Sequence, residues 1–339
     1  MEEAAVTRYL QHVMPEAEDV EVENLRRIFG GASRHTWSID ATWREGGVEQ
    51  RRGLIIRLDP GASVLESNCE VEYRAYRGLA GSGIPAPEAL WLELSDEWLG
   101  GSFFVMERIE NCETALTHIT TDSGMQTLGR EHFEIGGAIS AFDWRGAGWD
   151  FLDEPEPDRC WERELDRWHT VVERHRSDTQ PIIRASIDWL RRHPPPPPPR
   201  VAVVHGDYRI GNVLFDGEGV IHAVLDWEMV HLGDPLEDLA WTCMPNWRQG
   251  KADDPGGLMP RQQAYALWEQ RSGLRVDPDA FHWWEILSQV KLLAIFMTGG
   301  RNFADGKSDD AMMAMMSVRM QSMEDARLLA FLGAKDGSA

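Results

Sequence analysis

Positive charge is the scarcest feature of this 339-residue chain, in which 34 Lys and Arg stand against 56 Asp and Glu, a formal net charge of -22. Nucleic acids and anionic membranes are held chiefly by basic side chains, so neither is an expected partner, and no basic stripe offsets the balance. Net charge governs encounter and solubility rather than the sign of one pocket, so it does not choose a small ligand. Cysteine is also sparse. Cys69, Cys112, Cys160 and Cys243 lie far apart with no Cys-x-x-Cys pair, which argues against a zinc site or a disulfide framework and for buried thiols. The chain has no uninterrupted apolar run long enough to span a bilayer and no basic start leading into an apolar core and cleavage site; a cytoplasmic location is the expectation. There is no internal repeat. What is present is 42% hydrophobic residues over a length sufficient for two cores, so a folded protein is expected.

The densest motif is Val203-Val204-His205-Gly206-Asp207-Tyr208-Arg209-Ile210-Gly211-Asn212, followed by Val224-Leu225-Asp226-Trp227-Glu228. Short apolar runs before His205, at Leu214-Phe215 and at 221–225 surround an Asp216-Gly217 turn and read as strands that hold the polar groups on a rigid hairpin. An Asp, four intervening residues, an Asn and a later Asp give the order of a kinase phosphoryl-transfer centre. Asp207 would accept the proton of the acceptor hydroxyl, and Asn212 and Asp226 would hold magnesium. A bare Asp-x4-Asn is common, so the joint order carries the weight, extended by Gly233-Asp234-Pro235-Leu236-Glu237-Asp238-Leu239-Ala240-Trp241. This segment resembles the aminoglycoside phosphotransferase and choline-kinase-like superfamily, and within it the branch related to the kinase-like domain of acyl-CoA dehydrogenases.

The resemblance implies an α+β, two-lobed protein-kinase-like fold: a small β-rich nucleotide-binding lobe over residues 1–110 and a larger, mainly helical lobe for catalysis and substrate over 111–339. It implies ATP and Mg2+ as cofactors and a small-molecule hydroxyl acceptor, with the oligomeric state left open. A glycine turn over the phosphates is sought at Gly30, Gly31 and Ser33, where backbone amides can approach an anion, although two glycines before a strand also mark an ordinary turn. Arg57, in an apolar strand over 53–58, stands where the wider pattern has Lys. It would clamp phosphate there, or be a surface strand residue. Glu72, on a helix expected over 64–80, resembles the acid that anchors that cation, with Glu70 two residues away as the competing choice. Backbone groups at Met106, Glu107 and Arg108, after the strand from 103, would read the adenine.

Several assignments stay open. Glu228 reaches a second metal if the strand has ended by then, whereas in a continuing strand it shares the face of Asp226. Arg209 makes an anion contact or a salt bridge fixing the loop. His205 is expected to brace the loop, and Asp234 and Asp238 to cap or brace the following helix. Other helices are expected over 121–142, weakened by Gly136-Gly137, over 162–176 and over 179–192, before prolines 194–199 as a stiff connector. The branch points to a hydroxyacyl-CoA or another apolar alcohol as acceptor, with Lys291 and Arg301 as cations for its phosphates unless their helix simply packs on the core. The superfamily points instead to an aminoglycoside or other antibiotic, which the carboxylates of 149–166 would attract unless they only face water. The tryptophans line an acceptor cleft or, more simply, fill the core. Met312, Met313, Met315 and Met316 are read as a packed helix. A non-catalytic kinase-like nucleotide-binding module is the remaining alternative. The chain lacks the Asp-Phe-Gly and Ala-Pro-Glu segments of a protein kinase.

Overall fold

The computed structural model describes residues 1–28, 34–59, 68–175, 180–250, 253–307 and 311–336. Helix α1 (Glu3–Val13) leads into strands β1 (Glu18–Ile28), β2 (His35–Glu45) and β3 (Val48–Leu58), then α2 (Cys69–Gly78), β4 (Ala89–Glu93) and β5 (Phe103–Glu107). The strands form an antiparallel sheet in the order β1-β2-β3-β5-β4. Because successive strand side chains point to opposite faces, β3 divides its apolar residues. Leu54 and Ile56 join Val6, Tyr9 and Leu10 of α1 in one core, and Ile55 joins Ala75 and Tyr76 of α2 in the other. Arg57 shares the parity of Ile55 and is thereby aimed at α2. Each such fully buried aliphatic side chain contributes about 1.5–3 kcal/mol.

The rest is mostly helical. It comprises α3 (Asp122–Ala141), α4 (Cys160–His175), α5 (Pro181–Arg192), α6 (Leu236–Thr242), α7 (Arg261–Ser272), α8 (Pro278–Ala304) and α9 (Ala311–Asp336), with short strands β6 (Ala202–Val204), β7 (Val213–Phe215), β8 (Ile221–Val224) and β9 (His231–Gly233). Helix α8 is buried on nearly all sides over residues 283–294 and packs against α4, α5, α6 and α9, as an all-round apolar helix must. Thr121 caps α3 by accepting the Gly124 amide at 3.0 Å. The glycine pair that weakens α3 in isolation has a packing reason. A Cβ at Gly136 would stand 2.9 Å from the Tyr208 ring, and one at Gly137 2.8 Å from the Trp268 carbonyl of α7.

The tryptophans 144, 149, 168, 283 and 284 are buried in the main core. The methionine run is only partly packed. Met312 and Met315 of α9 are 62% and 47% exposed, on a helix that packs mainly against α8 and α5 and leaves its other side open. Among the described residues no helix is long and apolar enough to cross a membrane.

Candidate active site

Strand β8 ends at Val224, and the chain turns through Asp226 at φ 70°, ψ 53° into a short 3-10 turn over Trp227–Met229. A non-glycine residue in the left-handed region is uncommon and clusters at functional sites. The Asp226 amide is held by the Tyr76 hydroxyl at 2.9 Å, and its Oδ1 meets the Arg57 guanidinium at 2.5 Å. Arg57 also pairs with Glu72 Oε1 at 3.1 Å. Glu72, fully buried, is therefore the acid that faces the strand cation, and Glu70 is not. Burial pushes the Asp226 carboxyl up, but Arg57 more than offsets this and holds it below the usual range. Glu72 is raised, burial outweighing its two arginines.

The second arginine is Arg34. Its Nε lies 2.8 Å from Glu72 Oε2 and its Nη1 2.7 Å from Asp59, with Glu228 at 3.8 Å. Because the strand has ended, Glu228 does not share the setting of Asp226. It faces Arg34. Two guanidinium groups thus meet four carboxylates, Asp59, Glu72, Asp226 and Glu228, a surplus of negative charge that suits an added cation.

The loop between β6 and β7 carries the predicted base. Asn212 Nδ2 donates to Asp207 Oδ2 at 2.6 Å and to the Asp207 carbonyl at 2.9 Å. Asp207 Oδ1 accepts from Trp241 Nε1 at 2.7 Å and from Arg209 Nε at 3.1 Å. Arg209 therefore pairs with the base itself, and its guanidinium lies over the Trp247 ring at 5.1 Å. Gly206 adopts φ +85°, and a Cβ there would stand 2.6 Å from the Met229 carbonyl, so this position admits only glycine. His205 braces the loop: its Nδ1 accepts the Asp207 amide at 3.1 Å, and its Nε2 donates to the Leu225 carbonyl at 2.9 Å. Burial lowers its pKa, which keeps that tautomer neutral.

One expectation changes here. Asp234 does cap α6, accepting the Leu236 amide at 2.9 Å, and burial raises it to about 6. Asp238 does not. Its carboxylate reaches back to the amides of His205 at 2.6 Å and Gly206 at 2.9 Å, so it braces the base loop. Lys291 is 2% exposed and bonded to the Gly206 carbonyl and Glu237, which excludes it as a surface cation for CoA phosphates. Arg301, at the end of α8, pairs with Asp305 at 3.1 Å.

A cavity of about 590 Å³ joins these parts, lined by Arg57, Met106, Glu107, Arg108, Asn212 and Asp226 among others. The Arg108 side chain is committed to β2, donating to Ser38, Ile39 and Asp40. The Glu107 and Arg108 amides bond to the carbonyls of Glu88 and Gly53 within the sheet. Those amides are thus occupied, and the following segment, residues 109–114, continues the cavity wall. Gly30, Gly31 and Ser33 lie outside the described residues.

Arg34 and Trp241 were missed by sequence reasoning. Arg34 follows directly in sequence on the Gly30-Gly31-Ala32-Ser33 segment. Trp241 lies three residues after Asp238 and four after Glu237, one helical face, and that periodicity was the available signal.

Tyr208 anchors the loop to α3 through a 2.6 Å bond to the His132 carbonyl, and the two rings stack at 4.6 Å. Burial pushes His132 down to about 3. The unfolded chain, with an ordinary histidine near 6.5, then binds the extra proton first. Stability is complete above about pH 6.5 and is lost as pH falls toward 3, by about 1.4 kcal/mol per pH unit from this group. Urea unfolding at pH 7 and pH 5 should show the loss, and His132→Gln should flatten it. An unchanged slope in the variant would reject the assignment.

The sequence model of the phosphotransferase enzyme family matches residues 25–274, most of the chain. The chain belongs to the phosphotransferase enzyme family. Among curated relatives of this phosphotransferase, acyl-CoA dehydrogenase family member 10 of Mus musculus is 28% identical over 206 residues, 57% of this chain and 18% of that protein. Acyl-CoA dehydrogenase family member 11 of Gallus gallus is 25% identical over 252 residues, 71% of this chain and 30% of that protein. The chain thus spans less than a third of the length of these relatives. A candidate aminoglycoside phosphotransferase from Ralstonia eutropha superposes with a TM-score of 0.74 at 22% identity, covering 98% of each chain. A thermostable mutant of aminoglycoside phosphotransferase APH(4)-Ia, solved with ADP and hygromycin B, gives 0.63 at 19% identity and covers 99% of each. The phosphotransferase has the protein-kinase-like fold, as the sequence resemblance implies: an antiparallel amino-terminal sheet followed by a helical carboxy-terminal part.

Proposed function

We propose that this phosphotransferase moves the γ-phosphoryl group of ATP, with magnesium, to the hydroxyl of a small molecule, and that the acceptor is a hydroxyacyl-CoA or another apolar alcohol. The observation that carries the reading is the convergence of Arg57, Asn212 and Asp226 on one cavity, with Asn212 bonded directly to Asp207. Residues 1–110 would carry the nucleotide and 111–339 the acceptor chemistry.

The donor set fits a hard cation. Asn212 commits its Nδ2 to Asp207, so its Oδ1 would meet magnesium together with the Asp226 carboxylate, an all-oxygen set. Magnesium, when bound, offsets charge on the phosphates. Arg57 clamps a phosphate and is oriented for it by Glu72; Glu228 stands by as a second metal ligand. Residues 106–108 and the wall beyond them bound the base of the nucleotide. Asp207 orients the acceptor hydroxyl and takes its proton as the oxygen attacks the γ-phosphorus and the bond to the β,γ-bridging oxygen breaks, releasing ADP. Arg209, paired with Asp207 and laid on Trp247, contacts the transferred phosphate or the acceptor.

An apolar acceptor is favoured by what surrounds the base. Trp241, Met244 and Leu292 form a small cluster with Trp247, Ile295 and Phe296 packed on it, and Trp241 touches Asp207. The likeness to acyl-CoA dehydrogenase family members supports the same class. The test is incubation with ATP and magnesium against hydroxyacyl-CoA thioesters, aminoglycosides, macrolides and choline-like alcohols, read by product mass. Transfer to a thioester is expected. Transfer to an antibiotic alone would overturn the acceptor class, and binding of nucleotide without transfer to any acceptor would favour a non-catalytic module.

A further inference from the structure

Lys291 is a cation in an unusual place. It lies in the buried middle of α8, where its Nζ donates to the Gly206 carbonyl at 2.5 Å and to Glu237 Oε1 at 3.0 Å. The same ammonium sits 4.7 Å from the centre of the Trp241 ring. Trp241 in turn donates its indole N–H to Asp207 Oδ1 at 2.7 Å. Two routes therefore run from one ammonium to one carboxylate, through the peptide that precedes Asp207 and through the indole that binds it.

We propose that Lys291 is a positioning residue for phosphoryl transfer, fixing the Asp207 carboxylate through the Gly206 carbonyl and the Trp241 indole. The inference rests on the reading of Asp207 as the base. Its physical ground is the kind of freedom the loop would otherwise have. Gly206, at φ +85° and without a Cβ, has little intrinsic barrier to swivelling of the peptide on either side. Asp238 holds the amides of His205 and Gly206 from α6, whereas Lys291 holds the carbonyl from α8. Pinning both ends of this stretch sets the direction in which the Asp207 side chain leaves the backbone. Asn212 and Arg209, the other partners of that carboxylate, belong to the same loop and would move with it. Trp241 of α6 and Lys291 of α8 tie the carboxylate and its preceding peptide to helices outside the loop, beside Asp238 of α6 and the Tyr208 bond to α3.

A purely structural ammonium is a poor design for this position. A buried ion pair is often no more stabilising than apolar side chains of similar volume, because both charges lose their hydration. Lys291 also forms one end of a longer buried chain. Glu237 pairs with His231 at 3.1 Å, and His231 faces Glu164 at 3.6 Å. Burial lowers His231, but the two carboxylates more than offset it, and its pKa is raised. The Glu164, His231 and Glu237 ligand atoms lie close enough together to hold a metal ion. With Lys291 already bonded to Glu237, the group reads instead as an internally balanced network.

The test uses full-length protein labelled with 15N at tryptophan indoles, with the Trp241 resonance assigned by Trp241→Phe. Lys291→Met alone leaves Glu237 without its ammonium and can fail to fold, so Lys291→Met with Glu237→Gln is the decisive variant. In that folded double variant the Trp241 indole resonance is expected to shift toward its position in Asp207→Asn. Its kcat is expected to fall by about 10- to 100-fold, the scale of a small misplacement of a reacting group, with KM for magnesium-ATP within about twofold. An unmoved Trp241 resonance, or kcat retained within about twofold, would overturn the proposal. Absence of transfer by the wild-type protein would instead remove the reading of Asp207 as base, and the resonance would still decide whether Lys291 sets that carboxylate.

Discussion

Replacement of Asp207 by Asn is expected to lower phosphate transfer by about 10²–10⁴-fold, the contribution of a positioned general base, while the affinity for magnesium-ATP changes little. The expectation follows from what surrounds the carboxylate. Asn212, Arg209 and Trp241 all donate to it. An amide of the same shape can accept through its oxygen only, so its NH2 group must face at least one of these donors. That mismatch costs about 1–3 kcal/mol of local stability, well short of unfolding the chain. The cavity proposed for the nucleotide is walled by Arg57, Asn212, Asp226 and the segment after β5, and Asp207 is not among its lining residues. Product formation under single-turnover conditions, with circular dichroism on the same sample, separates the loss of base from loss of fold. Retention of more than about a tenth of wild-type transfer would show that the proton leaves by another route.

Glu72→Ala is expected to be the most destabilising single change in the amino-terminal part. Glu72 is fully buried and pairs with Arg34 at 2.8 Å and Arg57 at 3.1 Å. Removing it leaves two buried guanidinium groups facing each other with less compensation, and breaking a buried pair in this way costs about 3–5 kcal/mol. Arg57 would also lose its anchor and lean toward Asp226 alone, so nucleotide affinity should weaken with stability. Urea unfolding followed by tryptophan fluorescence measures the first effect and calorimetry with ATP the second. A loss below about 1 kcal/mol would place this cluster with ordinary surface ion pairs.

The legible parts of this chain are those where chemistry and local pattern coincide. The β6 to β8 hairpin was readable because apolar runs alternate with turn residues there, and the polar groups it carries come in a fixed order. Arg57 was readable because it stands, in an apolar strand, where the resembled kinase pattern carries its cation, and strand parity then aims it at the helix carrying Glu72. Strand β1 was not. Its two register shifts, between Glu18 and Glu21 and between Glu23 and Arg26, interrupt the period-two pattern, and only Val20 and Val22 are buried along it. The α3 glycines looked like a defect because their value lies in contacts with Tyr208 and α7, more than 70 residues away in sequence for Tyr208. Lys291 was readable as a cation for CoA phosphates or as part of a helix packed on the core, and its burial decides for the second. No local pattern announces that a lysine eighty-five positions from the base loop will be bonded to it. Asp238 was read as capping or bracing the helix that follows, a habit of aspartates near helix starts, when its partners are the His205 and Gly206 amides of the loop after β6.

Metal-dependent nucleotide binding at Asn212 and Asp226 is the step on which the proposed transfer depends. The most direct measurement is calorimetric titration of ATP with and without magnesium into the wild-type protein, Asp207→Asn and Asp226→Ala. Binding that requires magnesium, survives in Asp207→Asn and is lost in Asp226→Ala is the predicted result. Nucleotide binding that ignores magnesium, or that Asp226→Ala leaves intact, would contradict it.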